Sequence, residues 1–428
     1  MLKIIGLLFG LFGTEPLSYT VTASDFVAYA GQHDVLIQQK IESGKVSIYM
    51  PAFESAYQFK NPVLPKSGNR IYLGAGAHVY AMPYNFTNIH FIGLFKITGG
   101  VQDVKILGNK DTKAVFEYYD FYAYQYGGTN RFAAGSPNKS GIYIMDAMDV
   151  EVAGIRFVQC PGDGVTVDEN TGIGERTRNV LVRDIETYRC ARSGVVITAR
   201  DTITLQDSIL EESGVANQPG QFRYDQGEGV HIEAYRPPLY GILVSNVTTI
   251  GCSRGLKVSM AVTNNETTFH SSSDIRIKNC SFLESSDHGL MFRNCLDGVA
   301  PGFIEARDCV ISNSAPGGIR FQNWGPNVQV KLVQQTVYNA PGAVRAPVSI
   351  AYYGGDPVLD TATLRSIGNI WLHSVHVMQN DNPYILSCSG SSAAGVLVDN
   401  VWGGMWAHGT TNAVQMIDTT NINVVVTN

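Results

Sequence analysis

The chain has 428 residues, of which 16% are charged, with 44 glycines and a formal net charge of −6. That balance lacks the basic surplus of a nucleic-acid binder, so no nucleic-acid partner is expected. The seven cysteines (Cys160, Cys190, Cys252, Cys280, Cys295, Cys309 and Cys388) form no CxxC pair and no metal-finger spacing, and their odd number excludes a complete intrachain disulfide set.

Lys3 is followed by the apolar run Ile4 to Gly13, too short to span a bilayer. Two readings stay open for residues 1–24. One is a secretory signal with Val21-Thr22-Ala23 as a poor cleavage site. The other is an uncleaved plug that docks residues 1–16 into a larger assembly. Either places the protein outside the cell, secreted or on a virion. Residues 25–75 carry a short amphipathic helix, Asp34 to Glu42, apolar at Val35, Leu36, Ile37 and Ile41. The strands Val46 to Pro51 and Ile71 to Gly76 follow it.

Residues 76–428 form the third segment, and from about residue 140 one pattern repeats. It consists of a strand, an Asp or Asn, a second strand, a small turn, a Gly, and a third alternating strand. The turn positions Asp184, Asp207, Asn246, Asn279 and Asp308 are 23, 39, 33 and 29 residues apart, a base coil of 23 residues with insertions. The same signature returns at Ile370 to Ser374 and at Val396 to Asn400. A coil of this kind cannot bury its apolar face alone, so coils stack into an all-β solenoid, a parallel β-helix of single strands. Asp or Asn at one corner of successive coils can form a side-chain ladder that satisfies turn amides. Cys160 and Cys190 fall at equivalent inward positions, as do Cys280 and Cys309, and are read as stacked core thiols.

The order helix, strand-Pro segment, first coils resembles the N-terminal start of the pectate-lyase-like superfamily, and the resemblance covers nearly the whole chain. It implies a right-handed parallel β-helix with an N-terminal capping helix, a scaffold that hosts many sugar chemistries.

Aligning coils on the Gly before the third strand registers Ile142 to Asp146, Val165 to Glu169, Val195 to Ala199, Val230 to Ala234, Leu256 to Met260, Leu290 to Asn294 and Ile319 to Asn323. Alternation then gives two outward columns. One is Tyr143, Thr166, Val196, His231, Lys257, Met291, Arg320. Its neighbour is Met145, Asp168, Thr198, Glu233, Ser259, Arg293, Gln322. Asp168, His231, Glu233, Lys257, Arg293 and Arg320 thus gather within a few coils. The long insertions 214–228 and 261–273 flank them and are expected to wall a groove. The plain alternative is a solvated face with cross-strand ion pairs. The aromatic run Phe116 to Tyr126, including Tyr124 and Tyr126, together with Tyr143 offers a platform for sugar rings. Burial under a loop or at a subunit interface is the alternative there.

Two chemistries suit the cluster. In β-elimination on an acidic polysaccharide, a base removes the proton next to a uronate carboxylate while a cation neutralises that carboxylate. His231, Lys257 and Arg293 are the candidates, with Arg320, Tyr124, Tyr126 and Tyr143 binding substrate. In glycoside hydrolysis, Asp168 and Glu233 lie two coils apart, roughly 9–10 Å, near the spacing of an inverting pair. Asp163 and Glu228 supply a second pair. The lysine–arginine arrangement is similar to polysaccharide lyases of this fold, whose carboxylates often hold Ca²⁺, and that likeness implies Glu233, Asp168 and Glu228 as ligands. The paired-Asp motif of polygalacturonases is absent, and Asp287-His288-Gly289 and Arg276-Ile277-Lys278 echo their other motifs in reversed order. The segment Arg192 to Thr198 through Gly229 to Pro237 resembles phage tailspike and secreted polysaccharide-degrading families. That likeness implies an extracellular depolymerase, assembled as a homotrimer. A non-catalytic glycan-binding adhesin or structural virion protein is the other class.

Overall fold

A computed structural model describes residues 17–82, 92–118, 139–169, 176–199, 201–214, 227–233, 239–260, 274–295, 301–353, 364, 366–391, 394, 396–409 and 412–428. The apolar run within residues 1–16, Tyr124, Tyr126 and most of the two long insertions therefore lie outside the described residues.

Among the described residues, parallel strands stack into two long sheets, one of eleven strands and one of twenty-one. Each coil gives one strand to the shorter sheet and then turns through the longer one. The shorter sheet contains, in stacking order, Lys139–Met145, Val165–Asp168, Val195–Ile197, Glu228–Glu233, Arg254–Ser259, His288–Cys295, Gly317–Trp324 and Val348–Ala351. Its register runs Ile142, Val165, Val195, Val230, Leu256, Leu290, Ile319, Val348. That is the register expected from the glycines. The inward residues of both sheets form one continuous core along the solenoid.

The corners explain the recurrent Asp and Asn. Asp184, Asp207, Asn246, Asn279 and Asp308 all have φ between 51° and 55°. This left-handed conformation disfavours most side chains but is tolerated by Asp and Asn. Between coils, the Asn246 side-chain amide donates to Asp207 Oδ1 at 3.0 Å. The registered glycines have a different cause. A Cβ on Gly255 would meet the Gly289 carbonyl oxygen at 2.4 Å and the Phe282 side chain at 2.7 Å. Each such glycine yields its place to an inward side chain of the long sheet.

One alignment needs correction. Ile370 pairs with Val401, so Val396 to Asn400 stacks on the residues before Ile370 and not on Ile370 to Ser374. Asn369, Ser374 and Asn400 are all left-handed, with φ of 58°, 58° and 55°, so two different corners share one sequence signature.

The helix His33–Glu42 is present and buries Leu36, Ile37 and Ile41 in the same core as Ile48 and Ile71. Asp34 ties it down by accepting from the backbone and side-chain N–H groups of Asn61 at 3.0 and 2.8 Å. All seven cysteines are buried free thiols. Phe116 is a core residue, stacked on Phe95 with centroids 5.6 Å apart, and the Tyr118 hydroxyl donates to the Ser140 carbonyl. These two rings of the aromatic run are therefore not part of a sugar platform. Among the described residues, no helix is long and apolar enough to cross a membrane.

Candidate active site on the outer face of the shorter sheet

The two outward columns exist as drawn. His231 registers with Lys257, Lys257 with Met291, and Met291 with Arg320; Ser259 links Glu233 to Arg293. Their exposure differs from expectation. The first column is closed to solvent, with His231 at 0%, Lys257 at 2% and Arg320 at 7% exposure. Side chains on neighbouring coils stand one strand spacing apart, about 4.8 Å, so long ones pack over one another. In the second column Asp168 and Arg293 are half-buried, while Glu233, Ser259 and Gln322 are buried at 4%, 3% and 5% exposure.

Glu228 lies at the centre of a buried charge network. Its Oε1 takes Lys257 Nζ and Arg254 Nη1, each at 3.1 Å, and its Oε2 accepts from the Ser193 hydroxyl at 3.3 Å. Burial pushes the Glu228 carboxyl up, but the Lys257 and Arg254 cations more than offset it and hold the group at about 2. The His231 ring sits between two carboxylates, with Nδ1 3.6 Å from Glu228 Oε2 and Nε2 3.5 Å from Glu233 Oε1. Neither nitrogen has a hydrogen-bond partner. Burial, then the Lys257 charge, pull its pKa well below the ordinary value, so the imidazole is neutral.

The network continues through Arg254, whose Nε lies 2.7 Å from Asp287 Oδ2, and Asp287 Oδ1 lies 2.6 Å from His288 Nδ1. Arg345 Nη1 approaches His288 Nε2 at 3.4 Å. Burial lowers His288 to about 4 against the pull of Asp287. At the other end, Asp163 Oδ1 is held by Arg192 at 3.1 Å and by the Ser193 backbone N–H at 3.0 Å. Burial nonetheless raises the Asp163 carboxyl above its usual range. The sequence reading missed Arg254 and Arg345 as members of the site. A signal was available: Asp163, Ser193, Glu228, Arg254 and His288 each precede a registered glycine, a polar column on five successive coils.

Other expected residues take different places. The Tyr143 hydroxyl, on a ring only 1% exposed, donates to Asp168 Oδ2 at 2.8 Å, so this ring buttresses a carboxylate and does not meet a sugar. Asp168 Oδ1 also accepts from Thr198 at 2.5 Å and from the Glu169 backbone at 2.8 Å. Arg293 stands in the second column, two strands from Glu233. The set Glu233, Asp168 and Glu228 does not fit a calcium ion. Glu228 is already neutralised by two cations, and no cluster of three or more metal-type side chains converges among the described residues.

By its fold the chain is a right-handed parallel β-helix. No family model and no curated protein matches the sequence. Among solved structures, it is similar to the A-module of mannuronan C-5 epimerase AlgE6 from Azotobacter vinelandii. That match has a TM-score of 0.60 and 13% identity over 95% of this chain and 97% of that one. It is similar to gene product 12 of bacteriophage phi29, with a TM-score of 0.61 and 15% identity, over 99% of this chain and 56% of that one. Endo-xylogalacturonan hydrolase from Aspergillus tubingensis matches at a TM-score of 0.50 and 12% identity, over 95% and 94% of the two chains. At these identities the likeness establishes the shared fold.

Proposed function

We propose that this chain is an extracellular polysaccharide-processing enzyme whose proton-transfer centre is Glu233 backed by His231. The observation that carries the reading is the fully buried His231 ring, held between Glu228 and Glu233 with no hydrogen-bond partner on either nitrogen among the described residues. Glu233, at 4% exposure, is slightly nearer the surface than the fully buried His231, and in this reading it meets substrate while His231 adjusts its basicity. Lys257 and Arg254 fix the far carboxylate, so the relay has one ionised anchor and one working end. In elimination, Glu233 takes the proton from the carbon beside a uronate carboxylate. The electron pair forms the new double bond as the glycosidic C–O bond breaks, the leaving oxygen takes a proton from solvent water, and Glu233 returns its proton to solvent. Arg293 in the same column offsets the substrate carboxylate.

Elimination is favoured over hydrolysis because Asp168, the partner Glu233 would need, already accepts three hydrogen bonds from Tyr143, Thr198 and Glu169. The neighbours described as an epimerase and a glycan hydrolase support a carbohydrate substrate for this scaffold. A phage tailspike setting with a homotrimer, and docking through residues 1–16, form the wider proposal, with light scattering as the measure of the trimer. The domain division 1–24, 25–75 and 76–428, with the helix His33–Glu42 as cap, belongs to the same proposal.

Incubation with pectate, alginate, glycosaminoglycan and bacterial capsule preparations tests the reading. Ultraviolet absorbance of unsaturated ends is expected on at least one acidic polymer, and Glu233→Gln is expected to lower its rate by about 10²–10⁴-fold. New reducing ends without that absorbance would establish hydrolysis, and neither signal on any polymer would favour an adhesin.

A further inference from the structure

Beyond the proton-transfer centre, the outward column continues to Arg320, a guanidinium with no carboxylate in hydrogen-bond contact among the described residues; Asp287 acts on it only through space. Arg320 is 7% exposed and makes no ion pair or hydrogen bond; its one contact of note is the Tyr353 ring, 5.8 Å from its Cζ. Arg345 hangs from the next coil, where its backbone N–H donates to the Pro316 carbonyl. Its side chain runs past Gly317, where even a Cβ would come within 3.2 Å of Arg345 Cβ. Among the described residues, the polar partner of the Arg345 guanidinium is the His288 ring. Burial and then the Arg345 charge pull Arg320 down to about 10, with Asp287 acting in the opposite direction. Ser349 registers with Arg320 on the adjoining strand, is 7% exposed, and its hydroxyl has no hydrogen-bond partner.

The Arg320 guanidinium and the Ser349 hydroxyl are therefore donors with no hydrogen-bond acceptor among the described residues, and Arg345, held at 3.4 Å on the His288 ring, is the second cation of the group. A buried charge without a partner is unfavourable, and an anion completes such a group. The planar forks of arginine match a two-oxygen anion. Tyr353, 52% exposed, adds an aromatic face beside the charge, a surface that suits a sugar ring better than a bare inorganic ion.

We infer that Arg320, Arg345 and Ser349 form a subsite for the carboxylate of an acidic saccharide unit, with Tyr353 against its ring. This rests on the polysaccharide reading above and adds the substrate class and the direction in which the glycan runs, from Glu233 toward the C-terminal coils.

The test is calorimetric binding and thermal melting with three probes: an oligouronate, the same oligosaccharide with carboxyls reduced to alcohols, and inorganic sulfate. The oligouronate is expected to bind and raise the melting temperature, and the reduced probe to bind about tenfold or more weakly. Arg320→Met is expected to keep or raise the melting temperature without ligand, because it removes an unpaired buried charge, and to abolish the ligand-induced rise. Arg345→Gln, at a more exposed position, is expected to weaken binding similarly and carries the test if Arg320→Met fails to fold. Equal binding of the two oligosaccharides would overturn the subsite, as would wild-type affinity in Arg345→Gln. Sulfate binding as tight as the oligouronate would overturn the saccharide assignment in favour of a free anion. Glu233→Gln separates the two ideas: it should bind oligouronate undiminished. If it also retains turnover, the proton-transfer reading fails while the subsite stands.

Discussion

Glu228 shows how one residue type can serve stability on a face otherwise read as catalytic. Its carboxylate compensates the buried Lys257 and the largely buried Arg254, so Glu228→Gln leaves Lys257 without its carboxylate while Arg254 keeps Asp287. A loss of about 3–5 kcal/mol is expected in denaturant unfolding, and an unchanged midpoint would refute the central role given to this residue. The same network sets an acid limit. His231 and His288 have folded pKa values below the ordinary imidazole value, His288 at about 4. The unfolded chain therefore takes up these protons first, and stability falls as pH drops from about 6.5 toward about 4. Glu228, at about 2, adds a loss that begins below the ordinary glutamate range, while Asp163, raised, acts in the opposite direction. The net expectation is a melting temperature that declines across this acid range, and a flat profile would contradict it.

Among the elements, the third strand of each coil was the most legible. Its register was readable because a glycine precedes it in seven successive coils, from Gly141 to Gly318, and that glycine exists because the adjoining sheet fills the space a side chain would need. Gly255→Ala forces a methyl group against Phe282 and the Gly289 carbonyl. A destabilisation of about 1–3 kcal/mol is expected, read as a lower unfolding midpoint with the strand pattern otherwise retained. The corner signature was less reliable. Asp, Asn and Ser satisfy the left-handed conformation at more than one corner, which is why Val396 to Asn400 was stacked one corner away from its true partners.

For the molecule as a whole, the continuous core predicts a cooperative change in thiol reactivity. No cysteine is expected to react with a small alkylating reagent in the native state, and all seven after denaturation without reductant. A native-state thiol or a missing one after denaturation would contradict the packing. The sequence by itself determined the solenoid, its coil length, the inward and outward columns, and the gathering of Asp168, His231, Glu233, Lys257, Arg293 and Arg320 on one face. All of these follow from periodicity, which is a local property of the chain. Only the tertiary structure decided which of those groups reach solvent and which are spent on one another. Lys257 is bound to Glu228, Tyr143 to Asp168, and Arg254 joins coils 33 residues apart through Asp287. Those pairings depend on side-chain reach between stacked coils and on burial, and neither is written in the spacing of residue types along a single strand.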